Sequence, residues 1–209
     1  MNKELLPKDK FFLFCLALFL STNCTQSSNS SSNKNALAAA AIYSYSSSTT
    51  SKCTSSSSST ALTVSSTIGV SGTEMGSTYA CTLYGGKGYS PDLSWSGCPS
   101  TTKELALIMT TIALDGTKYN WILYNIPTTV SSLATNTSGV GTAGLGSDGP
   151  TYGYQAPCSS GLGTKSYIFT MYALSAAPSV SGVVTGSVLT SAISSTTLAT
   201  GSITFTVTR

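Results

Sequence analysis

Few residues in this 209-residue chain are able to do chemistry, and one type is missing altogether: there is no histidine. Imidazole titrates near neutral pH and is the commonest metal ligand, so Ser-His and Cys-His hydrolysis, histidine relays and His-containing metal sites are excluded. The nucleophile pattern that remains is Ser100-Thr-Thr-Lys103, which fits S-x-x-K. That chemistry needs its serine at the start of a helix, whereas residues 105–109 (LALIM) just beyond read as a strand. A second match, Ser31-Ser-Asn-Lys34, shows how readily the pattern arises by chance in so serine-rich a chain. Asp115 and Asp148 are the candidates for a carboxylate pair, but both stand beside glycines, where Asp is a usual turn former. Residues 139–149 are glycine-rich without the GK[ST] ending of a P-loop and read as a mobile loop. The expectation is a protein with no catalytic residue, no metal and no cofactor, not an enzyme.

The N-terminus must be separated from the elements that could position anything. Lys3, Lys8 and Lys10 precede a ten-residue apolar run, residues 11–20 (FFLFCLALFL). That run is too short for a bilayer, which takes about 20 residues, and has the length of a secretory signal. It leads into Leu20-Ser21-Thr22-Asn23-Cys24, which resembles a relaxed lipobox of bacterial lipoproteins. Residues 1–23 are therefore expected to be a signal peptide and Cys24 the lipidated new N-terminus, held to the membrane by its acyl chains. The other reading is ordinary signal cleavage that leaves Cys24 as a thiol. Residues 24–61 are almost entirely Ser, Thr, Asn and Ala and read as a flexible tether, because such a tract buries too little apolar surface to offset its ordering entropy.

Loss of residues 1–23 removes three lysines, one Glu and one Asp, leaving seven basic and five acidic residues and a net charge of +2. Nucleic-acid binding needs clustered Lys and Arg; here they are scattered, so nucleic acid is excluded as a partner. Only 8% of the chain is charged, so the surface must be covered largely by hydroxyls. From residue 62 onward strand signals recur between Gly and Ser turns. Residues 105–109, 121–124 (WILY) and 167–174 (YIFTMYAL) are continuous apolar runs, as expected of strands covered on both faces. Residues 203–207 (ITFTV) alternate as a half-exposed strand does, and only residues 188–193 hint at a helix. The reading is one all-β domain with minor helix, residues 62–209.

The order of motifs in that domain carries a resemblance. Tyr79-Ala-Cys81, a glycine-rich loop, Ser90-Pro91-Asp-Leu93-Ser-Trp95, Asn120-Trp121-Ile-Leu-Tyr-Asn125-Ile-Pro127, Gly153-Tyr154-Gln-Ala-Pro157-Cys158 and Leu198-Ala199-Thr-Gly-Ser-Ile-Thr follow one another as in a known family. The chain resembles the phosphatidylethanolamine-binding protein family in its bacterial and archaeal Raf kinase inhibitor-like branch. The resemblance implies a β-sandwich with a large antiparallel sheet and a smaller sheet, and a small anion pocket at the sheet edge. In the family that pocket is built from a DPD-x-P loop, the His of an HW pair, a GPCPP loop and the His of an HRY motif.

The departures fall on those positions. Thr111-Ile-Ala113-Leu-Asp115 corresponds by spacing to DPD-x-P without its acidic residues, Asn120 replaces the first His, Lys165 replaces the second, and Pro157-Cys158 continues as Ser159-Ser160. Thr111, Asn120, Tyr154 and Lys165 are thus the candidate pocket. Two readings stand: a re-lined pocket for a small anionic or phosphate-ester ligand, with Lys165 its cation, or a vestigial one in which Lys165 is a strand-edge charge that discourages sheet pairing.

With Cys15 lost and Cys24 lipidated, Cys53, Cys81, Cys98 and Cys158 admit three connectivities. The resemblance matches Cys81 and Cys158 to family positions and so favours Cys81 with Cys158 and Cys53 with Cys98. The function expected is an exported, lipid-anchored, non-enzymatic binding or inhibitor-like module of the bacterial cell envelope, its protein partner unknown. Kinase inhibition, a property of some relatives, does not carry over to an exported chain. The alternative is a structural or adhesive surface lipoprotein that uses the β-domain as a scaffold.

Overall fold

The computed structural model describes Cys53 and residues 62–209; the expected signal, Cys24 and the rest of the tether lie outside the described residues. Along the chain come β1 (Thr63–Ser65), β2 (Leu93–Ser96), β3 (Glu104–Ala113), β4 (Gly116–Ile126), β5 (Ser132–Leu133), β6 (Thr142–Ala143), β7 (Thr164–Leu174), α1 (Gly186–Ile193) and β8 (Thr197–Thr208). The long strands form a five-stranded sheet in the order β6-β4-β3-β7-β8, and β1-β2-β5 form a small one. All strand pairs are antiparallel. The expected sandwich is present, with each strand extending past the apolar run that signalled it.

The continuous runs arise because the large sheet is covered on both faces. Leu105, Leu107, Met109, Trp121, Leu123, Phe169, Met171 and Phe205 point to one side and pack with Leu93, Trp95 and Leu133 of the small sheet. Ala106, Ile108 and Ile122 point to the other and are capped by Leu189 and Ile193 of α1. Helix α1 begins where Thr185 Oγ1 accepts the amide of Val188 at 3.3 Å, an N-cap. Gly186 lets it close on the sheet, since a Cβ there would lie 2.0 Å from the Tyr119 ring.

Hydroxyl pairs do on this surface what ion pairs do elsewhere: Thr170 bonds Ser202 at 3.0 Å and Thr164 bonds Thr208 at 2.9 Å across β7 and β8. The glycine-rich segment read as a loop contains β6, which pairs with β4 through Ala143 and Thr142. Ser100 and Lys103 lie in the turn that leads into β3, with no helix between them. Disulfides join Cys53 to Cys98 and Cys81 to Cys158, with Cα atoms 5.4 and 5.2 Å apart.

Candidate functional site

The pairing of β3 with β4 slips by one residue: Met109 faces Trp121, but Thr110 faces Tyr119. Asn120 is therefore the extra residue of a β-bulge, a device that re-aims a side chain. The bulge separates Trp121, which goes to the core, from Asn120, which lines a cleft of 310 Å³ at the end of the same sheet face. Thr111 continues the core-facing alternation of Leu105, Leu107 and Met109, and Lys165 continues that of Phe169 and Tyr167. Carried beyond the small sheet, core positions become cleft positions. Lys118, Asp148, Ser159 and Ser160 complete the polar lining.

Asn120 is only 4% exposed, yet its Oδ1 is buried with no hydrogen-bond partner among the described residues. An acceptor left so costs about 1–3 kcal/mol, and an amide carries both an acceptor oxygen and an NH2 donor that a ligand could meet. Thr111 is less available, because its Oγ1 donates to Ser166 O at 2.8 Å. Lys165 Nζ donates to Gly161 O at 3.3 Å, a neutral partner, and makes no ion pair among the described residues. Lys118 instead pairs with Asp115 at 2.6 Å. That hydrogen bond holds the Asp115 carboxyl below its usual range and the Lys118 ammonium above its own. Burial, and then the carboxylate of Asp148, push the Tyr167 phenol up, so it stays neutral and able to donate.

Asp148 reaches the cleft through backbone clamps. Ser147 N donates to Tyr119 O at 2.9 Å, and Gln155 N donates to Asn120 O at 2.7 Å. The buried Gln155 amide then holds both backbone groups of Asp148, donating to its carbonyl at 2.8 Å and accepting from its N–H at 3.2 Å. Gly146 is needed there, since a Cβ would sit 2.1 Å from Gln155 Oε1.

Of the four residues expected together, the structure gathers Thr111, Asn120 and Lys165 and leaves Tyr154 out. Tyr154 packs edge-on against Trp121 at 5.3 Å and donates its hydroxyl to Tyr79 O at 3.1 Å. Burial raises that phenol's pKa, as befits a core hydroxyl. The strand-edge reading of Lys165 does not fit either, because β7 is interior, between β3 and β8. Thr111 and Ala113 belong to β3, and Asp115 sits in the tight hairpin to β4. Period-two alternation from Lys165 points to Tyr167; no local signal points to Asp148, which loop pairing across some 28 residues brings in.

A sequence model of the phosphatidylethanolamine-binding protein family matches residues 65–208. A UPF0098 protein of Methanothermobacter thermautotrophicus is 36% identical over 104 residues, 47% of this chain and 66% of that protein. One from Chlamydia pneumoniae is 34% identical over 95 residues, 43% of this chain and 62% of its own. The chain thus spans a little under two thirds of the length of these relatives. Among solved structures, one described as a phosphatidylethanolamine-binding protein homologue from Chlamydia trachomatis matches with a TM-score of 0.64 at 31% identity, over 71% of this chain and 97% of that one. The matched domain accounts for nearly the whole of that chlamydial chain. Escherichia coli YbcL shares the fold, with a TM-score of 0.64 at 23% identity over 71% and 98% of the two chains.

Proposed function

The chain belongs to the phosphatidylethanolamine-binding protein family, and from that premise we propose that its domain is a non-enzymatic binding module whose cleft takes a small anionic group, a phosphate ester. The observation that carries this is Asn120, whose buried Oδ1 has no hydrogen-bond partner among the described residues, on a bulge in the cleft that the ammonium-bearing Lys165 also lines. A vestigial pocket would have no reason to keep an unpaired amide in place of an apolar side chain. Lys165 supplies charge, Asn120 and the neutral Tyr167 phenol supply directed hydrogen bonds, and Ser159 and Ser160 are hydroxyls at the rim. The proposal extends to the whole chain: exported, anchored through lipid on Cys24, and held at the bacterial cell envelope.

Titration of the wild type with glycerol phosphate, followed by calorimetry, is expected to give saturable binding that Lys165→Ala weakens about tenfold or more, the equivalent of ~1.4 kcal/mol. No side-chain type lining the cleft ordinarily titrates between about pH 5 and 8. Binding of a sulfate ester, which does not titrate there either, should therefore be flat across that range. A wild type that binds neither ester leaves the scaffold reading. For the anchor, the N-terminal peptide of the chain from a membrane fraction should begin at Cys24 and carry the mass of its acyl chains; an unmodified thiol there overturns it.

A further inference from the structure

A second cleft, of 370 Å³, is lined by the start of the segment whose end, at Cys158, lines the first. Its volume falls in the range of small-ligand sites, about 300–1,000 Å³. The buried Trp121 and Leu123 and the half-buried Tyr154 form its floor, and its rims are the loop from Asn136 to Gly141 and the pair Tyr152-Gly153. The first cleft is lined by Lys118, Lys165 and Asp148 among others, whereas no residue lining the second carries a charge. Lys87, which precedes the lining Gly88, keeps its Nζ over the Tyr89 ring at 5.9 Å. The backbone groups of the rims are already bonded. Asn136 N donates to Ser90 O at 2.9 Å, Thr137 N to Ser90 Oγ at 3.2 Å and Gly153 N to Gly144 O at 3.2 Å, so both rims are fixed without a ligand. Their side chains are not: Asn136, Thr137, Ser138 and Tyr152 make no side-chain hydrogen bond among the described residues.

That division selects a ligand chemistry. A lining without charge gives an ion no partner. A peptide strand laid on the sheet edge would need free backbone groups, and here those are the groups already spent, on Ser90, on Gly144 and in the pairing of β6 with β4. What stands free is three hydroxyls and one amide, each able to donate and to accept, around an apolar and aromatic floor. Tyr152 is 55% exposed, so much of its ring as well as its hydroxyl is open at the rim. Val140 and Ala143 add apolar surface. A molecule with hydroxyls round its edge and C–H groups on its faces matches both kinds of lining, the faces against the ring and the hydroxyls against the polar side chains. That molecule is a neutral sugar.

We infer that this second cleft is a binding site for a neutral sugar, with Tyr152 as its stacking ring and Asn136, Thr137 and Ser138 as its hydrogen-bonding rim. The inference goes beyond the phosphate-ester reading, because the two clefts share no lining residue. The test takes the full chain in a non-glycosidic detergent and follows saturation-transfer NMR of two neutral disaccharides, chitobiose and cellobiose. Saturable binding of at least one is expected, about tenfold weaker in Tyr152→Ala. Asn136→Gly should weaken it comparably, since Asn136 has a left-handed backbone (φ 56) that glycine keeps while the amide is lost. Both variants should melt and bind glycerol phosphate as the wild type does. Lys165→Ala should leave sugar binding unchanged, as should a rise in salt from about 0.02 to about 0.5 M, because no charge is there to screen. Absence of transfer to either disaccharide overturns the inference, and so does binding that a folded form of either rim variant leaves unchanged. Binding that Lys165→Ala abolishes or that salt weakens steeply would put the sugar in the first cleft and overturn it too. Sugar binding in a protein that ignores glycerol phosphate would sink the reading of the first cleft and leave the second standing; the converse result would do the opposite.

Discussion

Trp121→Ala is expected to lower the free energy of unfolding by about 3–5 kcal/mol, a large share of the roughly 5–15 kcal/mol that holds a domain of this size together. The indole is 2% exposed and sits at the junction of two aromatic contacts, Tyr154 at 5.3 Å and Phe169 at 6.5 Å, and Phe169 in turn meets Phe205 at 5.8 Å. Its loss removes the transfer free energy of a large side chain and leaves a cavity whose walls belong to three strands already fixed by their ladders, so little collapse can follow. Trp121 is also the residue next to the bulge. With the indole gone, nothing on the core side fixes where Asn120 begins, and glycerol phosphate affinity should fall with stability. Urea unfolding followed by far-ultraviolet circular dichroism measures the first effect. A shift in stability below about 1 kcal/mol would mean that Tyr154 swings in to fill the space, and that the aromatic cluster is less rigid than its geometry implies.

The strands were legible because their chemistry is local. Residues 105–109 and 167–174 advertise burial on both faces, and the alternation at 203–207 advertises one covered face and one of hydroxyls; β3, β7 and β8 run through those segments. Their ends were not legible, because past the apolar run Thr and Lys read as loop until a neighbouring strand supplies hydrogen bonds, as β8 does for Thr164 and Lys165. Three cleft residues were found through the family resemblance, which fixes positions without fixing contacts. Tyr154 was misplaced for that reason: its segment borders the cleft through Gln155 and Cys158, but the ring points back to Trp121. Asp148 was set aside as a turn former, and it is in a turn. Its place in the cleft depends on the Gln155 amide and on Ser147 bonding β4, contacts with no counterpart in spacing or composition. Lys118 was equally hidden, since only the bulge at Asn120 brings it round to the same cleft.

Removal of the Cys81–Cys158 disulfide by paired serines is expected to cost about 2–4 kcal/mol of stability and, beyond that, to damage the cleft selectively. The bond closes a separation of 77 residues, and the Cys53–Cys98 bond closes 45. On chain-entropy grounds the two should matter nearly equally, at about 4 kcal/mol each as upper figures, because the dependence on loop length is logarithmic. Their positions differ. Cys158 is exposed and lines the cleft, whereas Cys53 and Cys98 are buried at the opposite pole. Without the first bond, the loop of Ser159 and Ser160 keeps the Cys81 amide on Pro157 O, the paired amides of Gly163 and Arg209, and the Arg209 guanidinium on Ser159 O. Apart from the bond to the buried Pro157, these are at the surface, where such bonds contribute modestly. The loop carbonyl that orients Lys165 should then wander, so glycerol phosphate should bind more weakly to the Cys81→Ser, Cys158→Ser protein even at temperatures where it is fully folded. The Cys53→Ser, Cys98→Ser protein should lose comparable stability and keep its affinity. Thermal melts paired with calorimetric titrations of both variants separate the two effects, and equal affinities in the two folded variants would show that the exposed bond holds the fold but not the site.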